Sequence, residues 1–591
     1  MNYSSNVISF FDECVKQNNK RPALIWEHEE MSYYELNKAV NNTAHYLLTN
    51  GIKKGDLVGV CLPKSMELVS AVLAILKIGA VYVPIVSDYP EQRKKYIVNH
   101  ANIKIVLTNS KMDFYGDKAL TLLNNEEEYI EVDTVVMHED DLAYIFYTSG
   151  TTGVPKGAMI HHGGLKNRLL WQRKYFDVKK NDRILFKAPI GFDISLWEIL
   201  LALISGAALI IAEEKGYKNL NYIIDIIAKN KVTICQFVPS MLQIALDYIR
   251  DKGNKEFSSL KKVVSSGEEL NVKIFNDFSS LLPHIALYNF YGPTEASICV
   301  TACKLNNKSV KNYIPLGKAI TNMEVVLLDE LKKPIVSNGI KGEIYISGIG
   351  VGKGYINNED ETARAFVAHY LDDERVMYKT GDIGFYDNNQ MIYLGRNDQT
   401  IKIRGNRIDL GEIESKIYEI NEIKTAVVKC IIKNDTQVLV AFYQPYNILD
   451  SLDLVLVEKI KDNLNRKLPR YMLPQIYQKI IKFELTENGK INKDKLLLEG
   501  YWPNYGSGND IANDMKGKLN RIFVKYINAD INSDQNFFEA GGSSLEAIKL
   551  LMEINRKLGG NILFEEAMED FSIDGIIRLL ENSLADKELR L

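Results

Sequence analysis

YTSGTTGVPKG, residues Tyr147 to Gly157, follows the apolar run Leu142 to Phe146 and brings three Gly, four Ser or Thr hydroxyls and one Lys into eleven positions. It reads as a strand feeding a phosphate loop. Gly150 and Gly153 let backbone N–H groups converge on phosphate oxygens, the hydroxyls of Thr148, Ser149, Thr151 and Thr152 add donors, and Lys156 adds a positive charge. A Walker loop would need Gly at position 155 or 158, where the chain has Pro155 and Ala158, which argues against a P-loop NTPase. Working outward, from about residue 30 to 350 helical patterns such as Met66 to Ile78 alternate with short apolar runs such as Leu57 to Cys61 and Ala80 to Ile85. That alternation predicts an α/β fold, with parallel sheets covered by helices. GEIYISG (Gly342 to Gly348) and QMIYLGR (Gln390 to Arg396) read as strands of a β-rich subdomain.

After Asp398 the pattern becomes a smaller α+β set that ends near Leu498. YWPNYGSGND, Tyr501 to Asp510, mixes Pro, Gly, Ser and Asn without a period and reads as a linker. Beyond it, helical runs at Met515 to Ile527, Leu545 to Leu558 and Ile573 to Leu584 predict a small bundle. The expected division is therefore 1–397, 398–500, a linker at 501–510, and 511–591. The chain of 591 residues has a net charge of −4, and residues 511–591, with 10 Lys plus Arg against 14 Asp plus Glu, account for all of it. No basic field is present to hold nucleic acid or an anionic membrane. The six Cys show no metal spacing, which argues for reduced thiols in a cytoplasmic protein. The apolar stretch Ile199 to Ala212 is too short to span a bilayer and reads as buried core. The N-terminus lacks the basic start and apolar core of a secretory signal.

At the glycine-rich loop the sequence resembles the adenylate-forming enzymes, and NFYGPTE, YKTGD, GRNDQTIKIRGNRIDLGEIE and LTENGK follow in that family's order. GFDISLWE (Gly191 to Glu198) resembles the amino-acid-activating branch, the adenylation domains of nonribosomal peptide synthetases. DQNFFEAGGSSLEAIKL (Asp534 to Leu550) is similar to the motif of a peptidyl carrier protein. The resemblance implies a large adenylate-forming lobe, a small α+β lobe and a helical carrier, with ATP, magnesium and 4'-phosphopantetheine as cofactors.

Carried over residue by residue, the resemblance assigns Thr148, Lys156, Glu295 and Lys490 to catalysis. The nucleotide would be held by Ser149, Gly150, Thr151, Thr152, Gly153, Gly267, Asn289, Tyr291, Gly292, Thr294, Asp382 and Arg396. Asn289 would hydrogen-bond the adenine and Tyr291 stack on it. Asp382 would accept from the ribose hydroxyls, and Glu295 would help coordinate magnesium. Lys490 would bridge the substrate carboxylate and the α-phosphate, where a cation relieves the repulsion between two anions. The family often has Pro before the Leu-Thr pair, where this chain has Glu484. Asp398 matches the hinge about which the small lobe turns between half-reactions, withdrawing Lys490 and presenting the loop near Gly405 to the thiol. Ser544 matches the serine that receives phosphopantetheine, at a helix start where an added phosphate meets unpaired N–H groups. Ser543 stands where relatives often have His or Asp.

Asp193 matches the residue that pairs with the substrate's α-amino group, which implies an α-amino acid. The remaining pocket positions are Ile194, Trp197, Gln236, Val264, Ser266, Phe290, Ile298 and Cys299, with Lys490 at the carboxylate end. Ile194, Trp197 and Phe290 take up volume, and no charged residue stands among these positions beyond Asp193 and Lys490. Ser, Gly or Ala is the expected substrate, Gln236 leaves Gln open, and charged side chains are disfavoured. Cys299 and Phe290 fit no single pattern. The rival readings are a ligase using free coenzyme A and a scaffold without activity. Expected partners are a phosphopantetheinyl transferase and a downstream condensation, thioesterase or reductase unit.

Overall fold

The computed structural model describes residues 6–109, 118–121, 130–149, 154–214, 216, 219–397, 400–403, 405–433, 436–446, 453–481, 483, 496, 515–527, 531–538, 540, 544–558, 562, 566–567 and 570–588. It divides into two compact units after Asp409.

The first unit is α/β. One sheet sets Leu57–Cys61, Val81–Pro84, Ile105–Thr108, Ala119–Thr121 and Leu142–Thr148 parallel, with Lys156–His161 antiparallel at its edge. A nine-stranded sheet has a parallel centre that includes Arg183–Phe186, Ile234–Phe237, Lys262–Ser265 and Ala286–Tyr291. A third sheet is antiparallel and contains both GEIYISG and QMIYLGR as strands, as expected. Parallel strands need both faces covered, which explains why their sequences are continuously apolar rather than alternating. Helix Met66–Lys77 serves that purpose. All its residues but Glu67 are buried, its N-terminus is capped by Ser65 Oγ accepting from Leu68 N, and Gly79, just past the C-cap Ile78, has a positive φ of 72° that suits the exit. The stretch Ile199–Ala212 is core, as expected: the end of helix Ile194–Leu203 and strand Ala208–Ile211. No helix among the described residues is long and apolar enough to cross a membrane. None of the six cysteines forms a disulfide.

The second unit begins with helix Leu410–Tyr418 and contains strands Ile423–Lys433, Thr436–Pro445 and Ile476–Lys479 and helix Asp453–Lys467. Helices Met515–Ile527, Ser544–Leu558 and Ile573–Glu588 follow. Their apolar faces meet around Leu519, Phe523, Phe537, Phe571 and Leu580, and Phe538 packs partly buried against that core. This is the expected helical bundle.

Candidate active site

Parallel sheets present ligands at the carboxyl ends of their strands, and the expected site residues gather at such ends. Thr148 closes strand Leu142–Thr148, and Gln236, Val264, Asn289 and Phe290 lie on three neighbouring strands, Gln236 paired with Val264 and Ser265 with Asn289. Gly150, Thr151, Thr152, Gly153, Asp398 and Lys490 lie outside the described residues, as does the side chain of Ser544, whose backbone starts helix Ser544–Leu558.

Tyr291, Asp382 and Arg396 come together although 105 positions separate the first from the last. The Tyr291 hydroxyl donates to Asp382 Oδ2 at 2.6 Å, and Arg396 Nη1 donates to Asp382 Oδ1 at 2.7 Å from the strand position directly opposite. Burial and the Asp382 charge push the Tyr291 hydroxyl well above its ordinary range, so it remains a donor. Each Asp382 oxygen keeps a second lone pair for a further hydroxyl. Asn289 is buried, with its Nδ2 donating to Pro315 O at 3.0 Å, which leaves its side-chain oxygen as the acceptor.

The turn after Tyr291 is unusually tight. A Cβ on Gly292 would lie 2.3 Å from Cys299 Cα, so only Gly fits there. Ser297 and Ile298 follow with φ of 62° and 75°. A β-branched residue in that region is strained by about 1–3 kcal/mol, and such strain concentrates at functional sites. Thr294 and Glu295 form the turn between these positions. Glu295 is 1% exposed, accepts from the Tyr355 hydroxyl at 2.8 Å, and takes Arg407 Nη1 on both oxygens at 2.9 and 3.1 Å. Burial pushes its carboxyl up, but Arg407 and the hydrogen bonds outweigh burial and hold it below its ordinary value. An ionised carboxylate is the oxygen donor that a hard cation takes. Ser149 Oγ donates to Arg407 O at 2.8 Å, while Thr148 Oγ1 is buried without a partner among the described residues. Lys156 is buried in an ion pair with Glu361, which Arg364 also contacts. Gly267 has φ of 88°, and its built Cβ would stand 3.5 Å from Gly405 Cα. Gly405 N donates to Glu268 Oε1 at 2.9 Å.

Asp193 stands at the N-cap of helix Ile194–Leu203, where Asp ordinarily caps, yet it makes no capping hydrogen bond. Its carboxyl is buried, and Oδ2 has no partner among the described residues. Burial pushes it up to about 6, against the opposing pull of the Thr294 hydroxyl and, more weakly, of the Ile194 backbone N–H and Arg168; Glu295 adds to the rise. Trp197, Val264, Phe290, Ile298 and Cys299 share one core, with Ile194 partly buried against it. Gln236 Nε2 faces Ser266 Oγ at 3.4 Å, and Lys187 Nζ faces Gln236 Oε1 at 3.5 Å. Two buried cations from outside the assigned positions stand beside them. Arg168 is buried against Phe290, and Lys187 against Gln236 and Phe237. Arg168 comes from a helix remote in sequence from Phe290, and Lys187, six positions before Asp193, meets Gln236 only because the strand it follows, Arg183–Phe186, neighbours that of Gln236 in the sheet. Arg407 lay inside a quoted motif, but its partner is 112 positions away.

Residues 11–356 match the family model described as AMP-binding enzyme, and residues 519–580 match that of a phosphopantetheine attachment site. Zwittermicin A synthase ZmaJ of Bacillus cereus is 34% identical over 513 residues, 84% of this chain and 95% of that protein. The chain belongs to the AMP-binding enzymes. As such it is an adenylate-forming ligase joined to a carrier, with ATP, magnesium and 4'-phosphopantetheine as its cofactors. A mycosubtilin synthase subunit of Bacillus subtilis is 32% identical over 587 residues, 97% of this AMP-binding enzyme but 22% of the relative, so the chain spans about a fifth of that protein. The fold matches holo-PA1221, an NRPS protein containing adenylation and PCP domains, with a TM-score of 0.84 at 23% identity over 98% of this chain and 97% of that one. The donor set fits the family's cofactors: Glu295 is a buried ionised carboxylate, and the Thr148 hydroxyl is unspent.

Proposed function

We propose that this chain activates an amino acid with ATP, giving aminoacyl-AMP and pyrophosphate, and then transfers the aminoacyl group to a pantetheine thiol on its own carrier at Ser544. The observation that carries this reading is Asp193: a buried carboxylate, withheld from the helix it should cap, with one oxygen unpartnered. Burying such a group is costly without a cationic partner, and an α-ammonium supplies one. Asn289, Tyr291, Asp382 and Arg396 hold the nucleoside. The glycine-rich loop from Thr148 to Gly153, with Lys156, Gly267, Gly292 and Thr294, holds the phosphates. Glu295 is the magnesium ligand in this reading, and Lys490 brings the two anions together. Magnesium, when bound, screens the phosphate charge. The large lobe is read as 1–397, the small lobe as 398–500 and the carrier as 511–591, with the hinge at Asp398. Tethering the thiol to the same chain makes the second step intramolecular.

The substrate is read as a small neutral amino acid, Ser, Gly or Ala. Phe290 supports this, because Trp171 and Phe176, at 5.8 and 5.7 Å between ring centroids, hold its ring in place. Gln236 faces Lys187 with one end and Ser266 with the other, which weighs against its reading a substrate amide. A phosphopantetheinyl transferase primes the carrier, and a condensation, thioesterase or reductase unit takes the product, in a cytoplasmic setting. The test is intact mass of the pantetheine-bearing chain after incubation with magnesium, ATP and pools of amino acids, beside a Ser544→Ala control. A mass gain confined to the primed wild-type chain is expected, and its increment names the residue. Pyrophosphate exchange without any gain would overturn the carrier step, and absence of both would overturn the reading.

A further inference from the structure

Arg168 lies midway along helix His162–Phe176, which contributes none of the positions assigned above. Its side chain is 1% exposed. Nη1 donates to Gln172 Oε1 at 2.6 Å, and the guanidinium carbon sits 5.3 Å from the Trp171 ring centroid and 5.4 Å from that of Phe290. Nε and Nη2 are buried without a hydrogen-bond partner among the described residues. No carboxylate forms an ion pair with this guanidinium among the described residues. A guanidinium is permanently charged and carries five N–H donors in a fixed fork. Two aromatic faces offset part of its lost hydration, but they do not satisfy donors that lie elsewhere on the fork, and a buried cation in that state is strongly disfavoured unless something completes it.

Its neighbours indicate what that is. Phe290 is one of the assigned pocket positions, and Cys299 is another. Burial pushes the Cys299 thiol up, while the Arg168 charge and a hydrogen bond from the guanidinium to the sulfur draw it back, so the guanidinium reaches that side of the pocket as well, with a weak sulfur acceptor that leaves Nε and Nη2 open to an oxygen. The same charge acts on Asp193. We infer that Arg168 is a specificity residue whose unpartnered N–H groups receive an oxygen acceptor, hydroxyl or carboxylate, at the end of a short substrate side chain. This rests on the reading of the pocket given under Proposed function and selects within it. Serine is favoured over glycine and alanine, and aspartate, which an uncharged pocket would turn away, is admitted. A site built to donate to a substrate oxygen rejects the analogue that lacks it far more strongly than an apolar pocket rejects a missing methylene.

The experiment compares kcat/KM for pyrophosphate exchange within near-isosteric pairs: serine against 2-aminobutyrate, threonine against valine, and aspartate against asparagine. Wild type, Arg168→Met and Cys299→Asp chains are compared, each with its melting temperature. In the wild type at least one oxygen-ended member of the first two pairs, or aspartate in the third, is expected to lead its partner by at least tenfold, and the leading pair identifies hydroxyl or carboxylate. Methionine keeps the length and volume but donates nothing, so the ratio is expected to fall below threefold in Arg168→Met. Should that variant fail to fold, Cys299→Asp carries the test. It sets a protein carboxylate beside Arg168, and the preference is expected to collapse without loss of melting temperature. A wild type that favours the apolar partners, or a ratio that survives both substitutions, overturns the inference while leaving amino-acid activation standing. Exchange with no amino acid at all overturns the reading beneath it, and the inference with it.

Discussion

Replacing Asp193 with Asn removes one charge and little volume, which makes it the sharpest probe of amino-acid recognition. The carboxyl is 8% exposed, and burial raises it from an ordinary value of 3.8 to about 6. That rise of roughly two units is a penalty of about 3 kcal/mol on the ionised form, at about 1.4 kcal/mol per unit. An arriving α-ammonium relieves it, so the interaction available to substrate is of about that order and corresponds to roughly 100-fold in kcat/KM. The pH dependence follows from the same shift. Below about 6 the free protein holds Asp193 protonated and neutral, while the α-ammonium stays charged. The kcat/KM for the amino acid should therefore fall tenfold per unit as pH drops below that value and stay flat above it. Asp193→Asn should lose about 100-fold at pH 7.5 and lose the inflection as well. The assay is pyrophosphate exchange at varied amino acid and saturating ATP from pH 5 to 8. A loss under threefold, or a flat wild-type profile across that range, would refute the reasoning.

Arg407→Met leaves Glu295 buried without its cation and should destabilise the first unit by about 3–5 kcal/mol, seen as a lowered melting temperature at pH 7. Because Arg407 holds the Glu295 carboxyl below its ordinary 4.5, that stabilisation is complete above about pH 4.5 and is lost as pH falls through the lower folded-state value. The gap between wild type and variant should therefore narrow toward acid, and a gap that does not change with pH would contradict the ion pair. Phe290→Ala removes a ring buried to 3% exposure and should shift exchange toward larger side chains such as Leu, by about 1–3 kcal/mol per methylene accommodated. An unchanged substrate order would show that Phe290 does not bound the pocket.

Local patterns sufficed for much of this protein. The alternation of helices and short strands and the three C-terminal helical runs rest on side-chain period within a dozen residues; the linker expected at 501–510 lies outside the described residues. Met66–Lys77, Leu57–Cys61 and Met515–Ile527 accordingly fall where their periodicity puts them. Motif residues such as Asp193, Glu295 and Asp382 were also visible, because the chemistry of each is written in its own short motif.

Tertiary structure alone decided who meets whom. Nothing near Glu295 in sequence announces Arg407 or Tyr355, and nothing near Phe290 announces Arg168. Each pair forms only when separate elements pack together: Arg407 comes from the antiparallel hairpin of strands Thr400–Ile403 and Asn406–Asp409, and Arg168 from helix His162–Phe176. Burial, too, is a property of the packed chain. It makes Asp193 a poorly solvated carboxyl near 6 rather than an ordinary helix cap, and leaves two Arg168 nitrogens without partners. Sequence period determines which face of an element is apolar, but the environment of a charge depends on everything within several ångströms of it, and that set is assembled only when the sheets close.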